Sequence, residues 1–194
     1  MSDLIQSYKC AVEKLLSLAR NVPDPRKRRG VRHKLDIVLT IFVLALLCDQ
    51  NDFLRVEDWA KSEFETLSQI MDLPHGIPSH DTFMRVMGLL PVEAIESLFV
   101  AWIAECYPEC SNHLAIDGKT VNGTVKMKDW ETDQVESRQK KHAQNLVIFR
   151  HLVCGILRKH LDTKRMTVSM KRTHCRNSLE YRVGVLNQAF SMAA

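Results

Sequence analysis

The sequence predicts a mainly α-helical protein with one short β-hairpin. Three observations lead to this fold class. Apolar residues recur at helical spacing through most of the first 110 residues. Asn122-Gly123 lies between β-branched residues, a pattern typical of a two-residue hairpin turn. Helical spacing then returns after residue 145. With 194 residues, 45% of them apolar, the chain is long enough to bury a sizeable core.

The first 110 residues predict about five helices. They cover residues 3–20, 36–48, 52–71, 79–90 and 92–103. The second of these helices, over residues 36–48, is apolar on nearly all sides, which is typical of a central buried helix. Residues 21–29 hold two prolines and four basic residues and are predicted to form a loop or arm. Ser79 is predicted as a helix N-cap, with Asp81 in the first turn where a negative charge is favoured.

The pattern changes beyond His113. Residues 114–116 are predicted to form a short apolar strand that ends in Asp117, and residues 120–125 carry the hairpin signal. Residues 128–142 are polar with little periodicity, whereas residues 145–160 have the spacing of a helix. The remainder is basic, and a last helix is predicted over 179–190.

The net charge of +4 conceals an asymmetry, because residues 1–124 sum to −4 and residues 125–194 to +8. Such an asymmetry indicates an anion-binding part, for which nucleic acid is the usual partner. Two basic clusters contribute. The first cluster is Arg26, Lys27, Arg28, Arg29, Arg32, His33 and Lys34, and the second is Arg158, Lys159, Lys164, Arg165, Lys171, Arg172 and Arg176. The alternative is an ordinary solvated surface with a frayed tail.

Several classes of protein are disfavoured. The longest apolar run, residues 37–48, has twelve residues, whereas a membrane span needs about 20. The first ten residues show no secretory signal. Six cysteines without such a signal favour reduced thiols. The sequence therefore predicts a cytoplasmic protein without a membrane segment.

Few residues suggest chemistry by themselves. Asp117 is predicted to lie at the end of a strand, where a sheet presents metal ligands, but Asp-Gly is also typical of a plain turn. His80 and Asp81 could form a general-base pair; adjacent helical residues do not face each other, so a helix start with a local hydrogen bond is favoured. Phosphate-binding loop, dinucleotide and G-x-S-x-G motifs are absent from the sequence.

Three segments together carry a family resemblance. Residues 24–33 (DPRKRRGVRH), 76–83 (GIPSHDTF) and 114–120 (LAIDGKT) resemble the amino-terminal part of ISAs1-family (H-repeat-associated) transposases. In that family a helical associated domain precedes a ribonuclease-H-like DDE catalytic domain. The resemblance implies a helical domain at 1–110, a remnant of the ribonuclease-H-like α/β domain at 111–128 consisting of its first strands, and a basic helical carboxy-terminal segment at 129–194. It also makes Asp117 the first catalytic aspartate.

The end of the chain resembles the same family, but out of place. Residues 143–172 resemble the carboxy-terminal helix that follows the entire catalytic domain in family members. Only about 25 residues separate them from Asp117, so the second Asp and the Glu of the DDE triad have no counterpart. Glu131, Asp133 and Glu136 are the nearest substitutes, on a polar stretch that would not fix them accurately. The resemblance therefore implies an internally truncated copy.

These implications predict a transposase-like protein of a bacterial insertion element that is catalytically inactive. Intact members use Mg²⁺; here no cofactor is expected to bind, and Asp117 would be a metal ligand only beside other ligands. Two alternatives remain: a DNA-binding remnant or inhibitor of full-length transposase, and a decayed reading frame without function. The expected partners are DNA, which would place the protein at the nucleoid, and a second copy or a full-length transposase.

Overall fold

The computed structural model describes residues 2–27, 29, 31–106, 133–161 and 166–191. The described residues form helices joined by short connections. In chain order these are α1 (Ser2–Ala19), α2 (Leu35–Leu47), α3 (Phe53–Ser62), α4 (Phe64–Ile70), α5 (His80–Leu89), α6 (Val92–Cys106), α7 (Asp133–Lys159), α8 (Val168–Asn177) and α9 (Leu179–Ser191). The prediction of a mainly α protein is confirmed.

Helix α2 lies at the centre of the fold. Every residue of it except Asp36 is buried, and α1, α3, α7 and α8 pack around it. Such burial explains why its sequence is apolar on all sides. The helix ends where Asp49 takes a positive φ of 63°, a left-handed conformation that aspartate tolerates better than most residues do. The Gln50 amide then donates to the Ala45 carbonyl at 3.0 Å and closes the last turn.

The structure divides the helix predicted over 52–71 into α3 and α4. The break lies at Glu63, whose φ and ψ of −96° and 10° leave the helical region. Both pieces bury apolar residues, Val56 and Ala60 on one side of the break and Leu67 and Ile70 on the other. The prediction that these apolar residues share a buried helical face is therefore confirmed. The spacing alone does not report that the helix breaks and changes direction.

The structure differs from the prediction after residue 133 as well. Helix α7 begins at Asp133 rather than at 145, so Asp133 and Glu136 lie on a helix, while Glu131 lies outside the described residues. Its first turns are rich in Gln, Glu, Lys and Arg, which favour helix without an apolar stripe. Helix α8 was not predicted, because it buries only Lys171 and Cys175. The predicted helix at 179–190 is confirmed as α9.

The described helices share one hydrophobic core. Phe149 of α7 lies edge-on to Phe42 of α2, with ring centroids 5.4 Å apart. A Cβ on Gly155 of α7 would lie 3.3 Å from the Trp102 ring of α6, so glycine permits this close approach. Helices α1 and α9 pack side by side: Lys14 donates to the Phe190 carbonyl at 3.0 Å, and Asn187 donates to the Ser7 hydroxyl at 2.6 Å. The core thus includes α7, α8 and α9 together with α1–α6.

The predicted hairpin, the remnant of a ribonuclease-H-like domain and Asp117 all fall on residues 107–132, outside the described residues. In the part that the structure describes, there is no strand. The division into 1–110, 111–128 and 129–194 therefore stays a prediction.

Among the described helices, no single one is both long and apolar enough to cross a membrane. Helices α5 and α6 meet that criterion only as a pair, and they are bent by 96° relative to each other.

Candidate nucleic-acid interface

The basic arm between α1 and α2 is held in shape by one of its own arginines. The Asp24 carboxylate accepts from the Arg26 backbone amide at 3.0 Å and from its guanidinium at 2.8 and 2.7 Å. The same guanidinium donates to the His33 carbonyl at 2.9 Å, so it ties the two ends of the arm together. Arg26 lowers the pKa of the Asp24 carboxyl through these bonds. The Arg26 side chain is only 6% exposed, and its charge is largely used inside the arm.

The other cations of the arm point outward. Lys27, Arg29, Arg32 and Lys34 are exposed, and Arg28 lies outside the described residues. In the described part of the chain, none of these four side chains forms an ion pair within 4.0 Å. Arg26 therefore shapes the arm, and its neighbours supply the available positive charge.

Helix α5 begins with a carboxylate that comes from α3. The Glu57 carboxylate accepts from the His80 backbone amide and from His80 Nδ1, both at 2.7 Å, and pairs with Lys61 at 2.6 Å. Lys61 and the His80 amide lower the pKa of Glu57 to about 2. Ser79 occupies the N-cap position as predicted, but its side chain makes no capping hydrogen bond. Its hydroxyl lies 3.2 Å from the Thr82 hydroxyl instead.

His80 and Asp81 do not form the isolated general-base pair that was considered from the sequence. His80 Nε2 lies 3.4 Å from Asp81, whereas Nδ1 is bound by Glu57 at 2.7 Å. A helix does start here, as the sequence favoured, but the hydrogen bonds that hold His80 to Glu57 are not local. The strongest partner comes from 23 residues earlier in the chain.

The loop before α5 packs against the arm. Gly76 turns the loop with a φ of 70°, in the left-handed region that favours glycine, and its amide donates to the Leu73 carbonyl at 3.0 Å. This turn places His75 next to His33, with ring centroids 6.2 Å apart and the planes at 88°. The two segments that carry the family resemblance, 24–33 and 76–83, are thus brought together.

An open cleft of about 510 Å³ lies between them, and we call it the arm cleft. Its lining consists of Arg26, Arg32, His33, His75, Ile77, Ser79, Thr82 and Arg85. These residues supply three guanidinium groups, two imidazoles and two hydroxyls, and none of them carries a carboxylate. The arrangement is suited to bind an anion through charge and hydrogen bonds, and offers little apolar surface.

The electrostatics of the arm cleft agree with its composition. The pKa of His33 is lowered, first by partial burial and then by the positive charges of His75, Arg26 and Arg32. The protonated, positively charged form of the His33 ring is therefore disfavoured as long as the cleft holds no anion.

The second basic cluster is placed differently. Lys171 is buried and donates to the carbonyls of Leu157 and His160, near the end of α7. Arg172 is 13% exposed and donates to Asn51 at 3.2 Å. Lys159 donates to the Ala189 carbonyl at 3.3 Å, and Arg158 is exposed. Lys164 and Arg165 lie outside the described residues, and the described members of the cluster do not line the arm cleft.

Sequence reasoning missed the contribution of α5 to the site. Ser79, Thr82 and Arg85 recur every three residues and so share one side of the helix. Phe83, Val86 and Met87, between and beyond them, are fully buried. The polar three-residue spacing beside a buried stripe was the signal available in the sequence.

Residues 17–103 match the family model described as DDE_Tnp_1-associated, and every residue that lines the arm cleft lies inside this match. One relative is "Inactive transposase YbfQ" from Escherichia coli K12, 32% identical over 77 residues, which are 40% of this chain and 92% of the relative. The chain belongs to the family of transposases that carry this DDE_Tnp_1-associated domain. Other relatives from the same strain are "Putative transposase YncI", 32% identical over 59% of this chain and 46% of the relative, and "H repeat-associated putative transposase YhhI", 30% identical over 57% and 29%.

This transposase-family chain thus spans less than half the length of YncI and YhhI. No solved structure matches it. Across the positions that the structure describes, no group of three or more His, Cys, Asp or Glu side chains is arranged to hold a metal ion. Asp117, the carboxylate singled out from the sequence, lies outside those positions.

Proposed function

We propose that this chain is an ISAs1-type transposase relative that binds DNA and does not carry out strand transfer. The arm cleft is the observation that carries the proposal. Two segments that resemble the family, about 50 residues apart in the sequence, meet there. The arm supplies Arg26 and Arg32, and α5 supplies Arg85, just beyond the second segment. Basic side chains arranged in this way bind the phosphate backbone of nucleic acid without reading its sequence.

The catalytic part of the proposal rests on the sequence. DDE chemistry requires two metal ions, which position and activate the nucleophile and stabilise the leaving oxygen. The family resemblance implies that three carboxylates from separate elements hold that pair in intact members. This chain offers Asp117, and residues resembling the family's last helix follow after about 25 positions. One aspartate is not enough to hold two metal ions.

DNA binding is tested by measuring the affinity of the full chain for a 20-base-pair duplex by fluorescence anisotropy at several KCl concentrations. We expect log K to fall linearly with log salt, with a slope of about −0.9 for each phosphate contacted. A combined Lys27→Gln, Arg29→Gln variant should reduce the slope by about two, while its circular dichroism and melting temperature stay unchanged. Binding that is absent, or insensitive to salt, would contradict the proposal.

Catalysis is tested separately, with duplexes that carry the terminal repeats of the element. We expect no nicking or joining with Mg²⁺ or Mn²⁺, and the same result for the wild type and for Asp117→Ala. Strand transfer by the wild-type chain that is lost in Asp117→Ala would overturn the proposal of an inactive protein.

A further inference from the structure

We propose that the arm cleft is a binding site for a single phosphate group of a nucleic acid. This inference rests on the proposed DNA binding but is narrower. It assigns the phosphate to one cleft. It also adds Arg85 and Thr82 of α5, and His75 of the loop, to the arm residues that would contact DNA.

Arg32 and Arg85 supply the available charge. They come from the arm and from α5, and both side chains are exposed on the lining of the cleft. Over the part of the chain that the structure describes, neither has an ion-pair partner within 4.0 Å. Arginine binds phosphate oxygens in pairs through its planar fork of N–H donors. Arg26 also lines the cleft, but its guanidinium is paired with Asp24 and contributes mainly to the shape of the arm.

Ser79 and Thr82 add hydrogen-bond donors. Their hydroxyls lie 3.2 Å apart, so one donates to the other and the second O–H remains available to a ligand. His33 and His75 can each donate through a ring nitrogen, and both become better donors when protonated. A tetrahedral anion with several acceptor oxygens makes use of such a varied set of donors.

The composition favours phosphate over an acidic peptide. A peptide partner usually buries apolar side chains, and Ile77 is the one aliphatic residue among those that line the cleft. The volume of about 510 Å³ accommodates a phosphate with part of its adjoining sugars. The ligand class is therefore a phosphate group, from a terminal phosphomonoester or an internal phosphodiester.

The occupied cleft has a measurable consequence at His33. The charged groups near this ring are Arg26, Arg32 and Lys34 on the arm, Asp72 and His75 on the loop, and Arg85 on α5. The neighbouring cations disfavour the protonated imidazole, and a bound anion would favour it. Phosphate binding should therefore raise the pKa of His33.

The first experiment follows the imidazole signals of His33 and His75 by NMR between pH 5 and 8, using the full chain. Inorganic phosphate is the probe, with sodium acetate at matched ionic strength as the control. We expect phosphate to raise the pKa of His33 in the wild type and to have no such effect in Arg85→Gln. An equal response to acetate, or no response to phosphate, would overturn the proposal.

The second experiment compares two variants that lose the same charge. Arg85→Gln removes a cation from the cleft, whereas Arg55→Gln removes one from α3, where the side chain is 69% exposed and outside the cleft. We expect Arg85→Gln to weaken duplex binding about 5- to 20-fold at low salt and to reduce the salt slope by about one. Arg55→Gln should change affinity less than twofold.

The combined outcomes separate the two proposals. If the wild type binds DNA with a steep salt dependence but Arg85→Gln behaves like Arg55→Gln, the phosphate site is wrong and the proposed function stands. If inorganic phosphate raises the pKa of His33 but DNA does not bind, the cleft is a phosphate site, and both its assignment to DNA and the proposed function are wrong. Duplexes with and without 5′-phosphates distinguish the sources, because a terminal site makes the loss in Arg85→Gln depend on the 5′-phosphate.

Discussion

The arm and the carboxy-terminal helices carry similar basic sequences but use them in opposite ways. On the arm, Lys27, Arg29, Arg32 and Lys34 remain exposed, and among the described arm residues only Arg26 is committed to an internal ion pair. In the carboxy-terminal helices, the committed cations hold the fold together. They are Lys171, bound to two carbonyls, Arg172, bound to Asn51, and Arg182, paired with Glu63.

The difference shows that a count of basic residues does not locate a nucleic-acid surface. A lysine or arginine whose N–H groups are bound to buried acceptors contributes to stability, and those N–H groups are not available to a nucleic acid. The arm, at the surface between α1 and α2, has few such acceptors. The variants below test this contrast, in order of decreasing effect on the free energy of unfolding.

The largest effect is expected for Arg182→Met. Arg182 is 1% exposed, donates to Glu63 at 2.9 Å and to the Cys175 carbonyl at 3.0 Å, and lies 5.3 Å from the centroid of the Trp59 ring. Its loss leaves Glu63 and a buried carbonyl without this partner. We expect the free energy of unfolding to fall by about 3 kcal/mol. This value is at the low end for a broken buried ion pair, because Glu63 is 24% exposed.

Urea denaturation followed by circular dichroism measures this change. The matched control is Arg158→Gln, an exposed arginine of α7, for which we expect a change within about 0.5 kcal/mol. Equal stability of Arg182→Met and the wild type would show that the carboxy-terminal helices do not depend on this cation.

Lys171→Met should have the next largest effect. The ammonium group satisfies the Leu157 and His160 carbonyls, which helix α7 leaves unpaired where it ends. Methionine keeps the length but removes the donor, so we expect a loss of about 2 kcal/mol. The control is Arg176→Gln, which changes an exposed residue of α8, the helix that also carries Lys171. This variant should melt at the wild-type temperature. Similar melting temperatures for all three proteins would rule out this role for Lys171.

A smaller effect on stability is expected for Glu57→Gln, because this change weakens the start of α5 beside the arm cleft. The size of the effect depends on pH. The loss at pH 7 should be about 1–2 kcal/mol, the usual range for a helix cap. The pKa of Glu57 is about 2 in the folded protein against an ordinary value of 4.5. The carboxylate therefore stabilises the fold fully above pH 4.5, and this stabilisation is lost as the pH falls from 4.5 towards 2.

Denaturation curves at several pH values between 7 and 3 should show the wild type and Glu57→Gln converging. Glu65→Gln, at an exposed position of α4, should show no such convergence. A constant difference between the wild type and Glu57→Gln across this range would contradict the assigned contacts.

The smallest effect on stability is expected on the arm. Arg29→Gln should leave the free energy of unfolding within about 0.5 kcal/mol of the wild type and weaken DNA binding a few-fold, with a salt slope reduced by about one. Arg158→Gln is the matched variant from the second cluster and should weaken binding less. Equal losses of DNA affinity would mean that both clusters contact DNA, and the contrast drawn above would fail.

The sequence predicted the helical class and most helix positions, because these depend on local apolar spacing. The end of α3 at Glu63 and the whole of α8 were missed, since both depend on partners elsewhere: Glu63 binds Arg182, and Lys171 binds the end of α7. Local spacing does not report such pairings.

The arm was predicted as a basic site, but its geometry could not be inferred from the residues alone. Arg26 has the same charge as its neighbours, and only the folded arm shows that Asp24 and the His33 carbonyl hold it. Arg85 joins the cleft through tertiary packing across more than 50 residues. The basic cluster in the sequence therefore contains three of the eight lining residues, and the other five required the packing of α5 and of the loop before it.

The pairing of α1 with α9 has a consequence for how the protein is made. Lys14 and Ser7 meet Phe190 and Asn187, partners that are separated by 176 and 180 positions in the chain. A ribosome that adds 5–20 residues each second leaves α1 without α9 for roughly 10–30 s. During that interval the side of α1 that α9 will cover is open to water, to chaperones and to other nascent chains. Completion of the core thus has to wait until α9 has been synthesised.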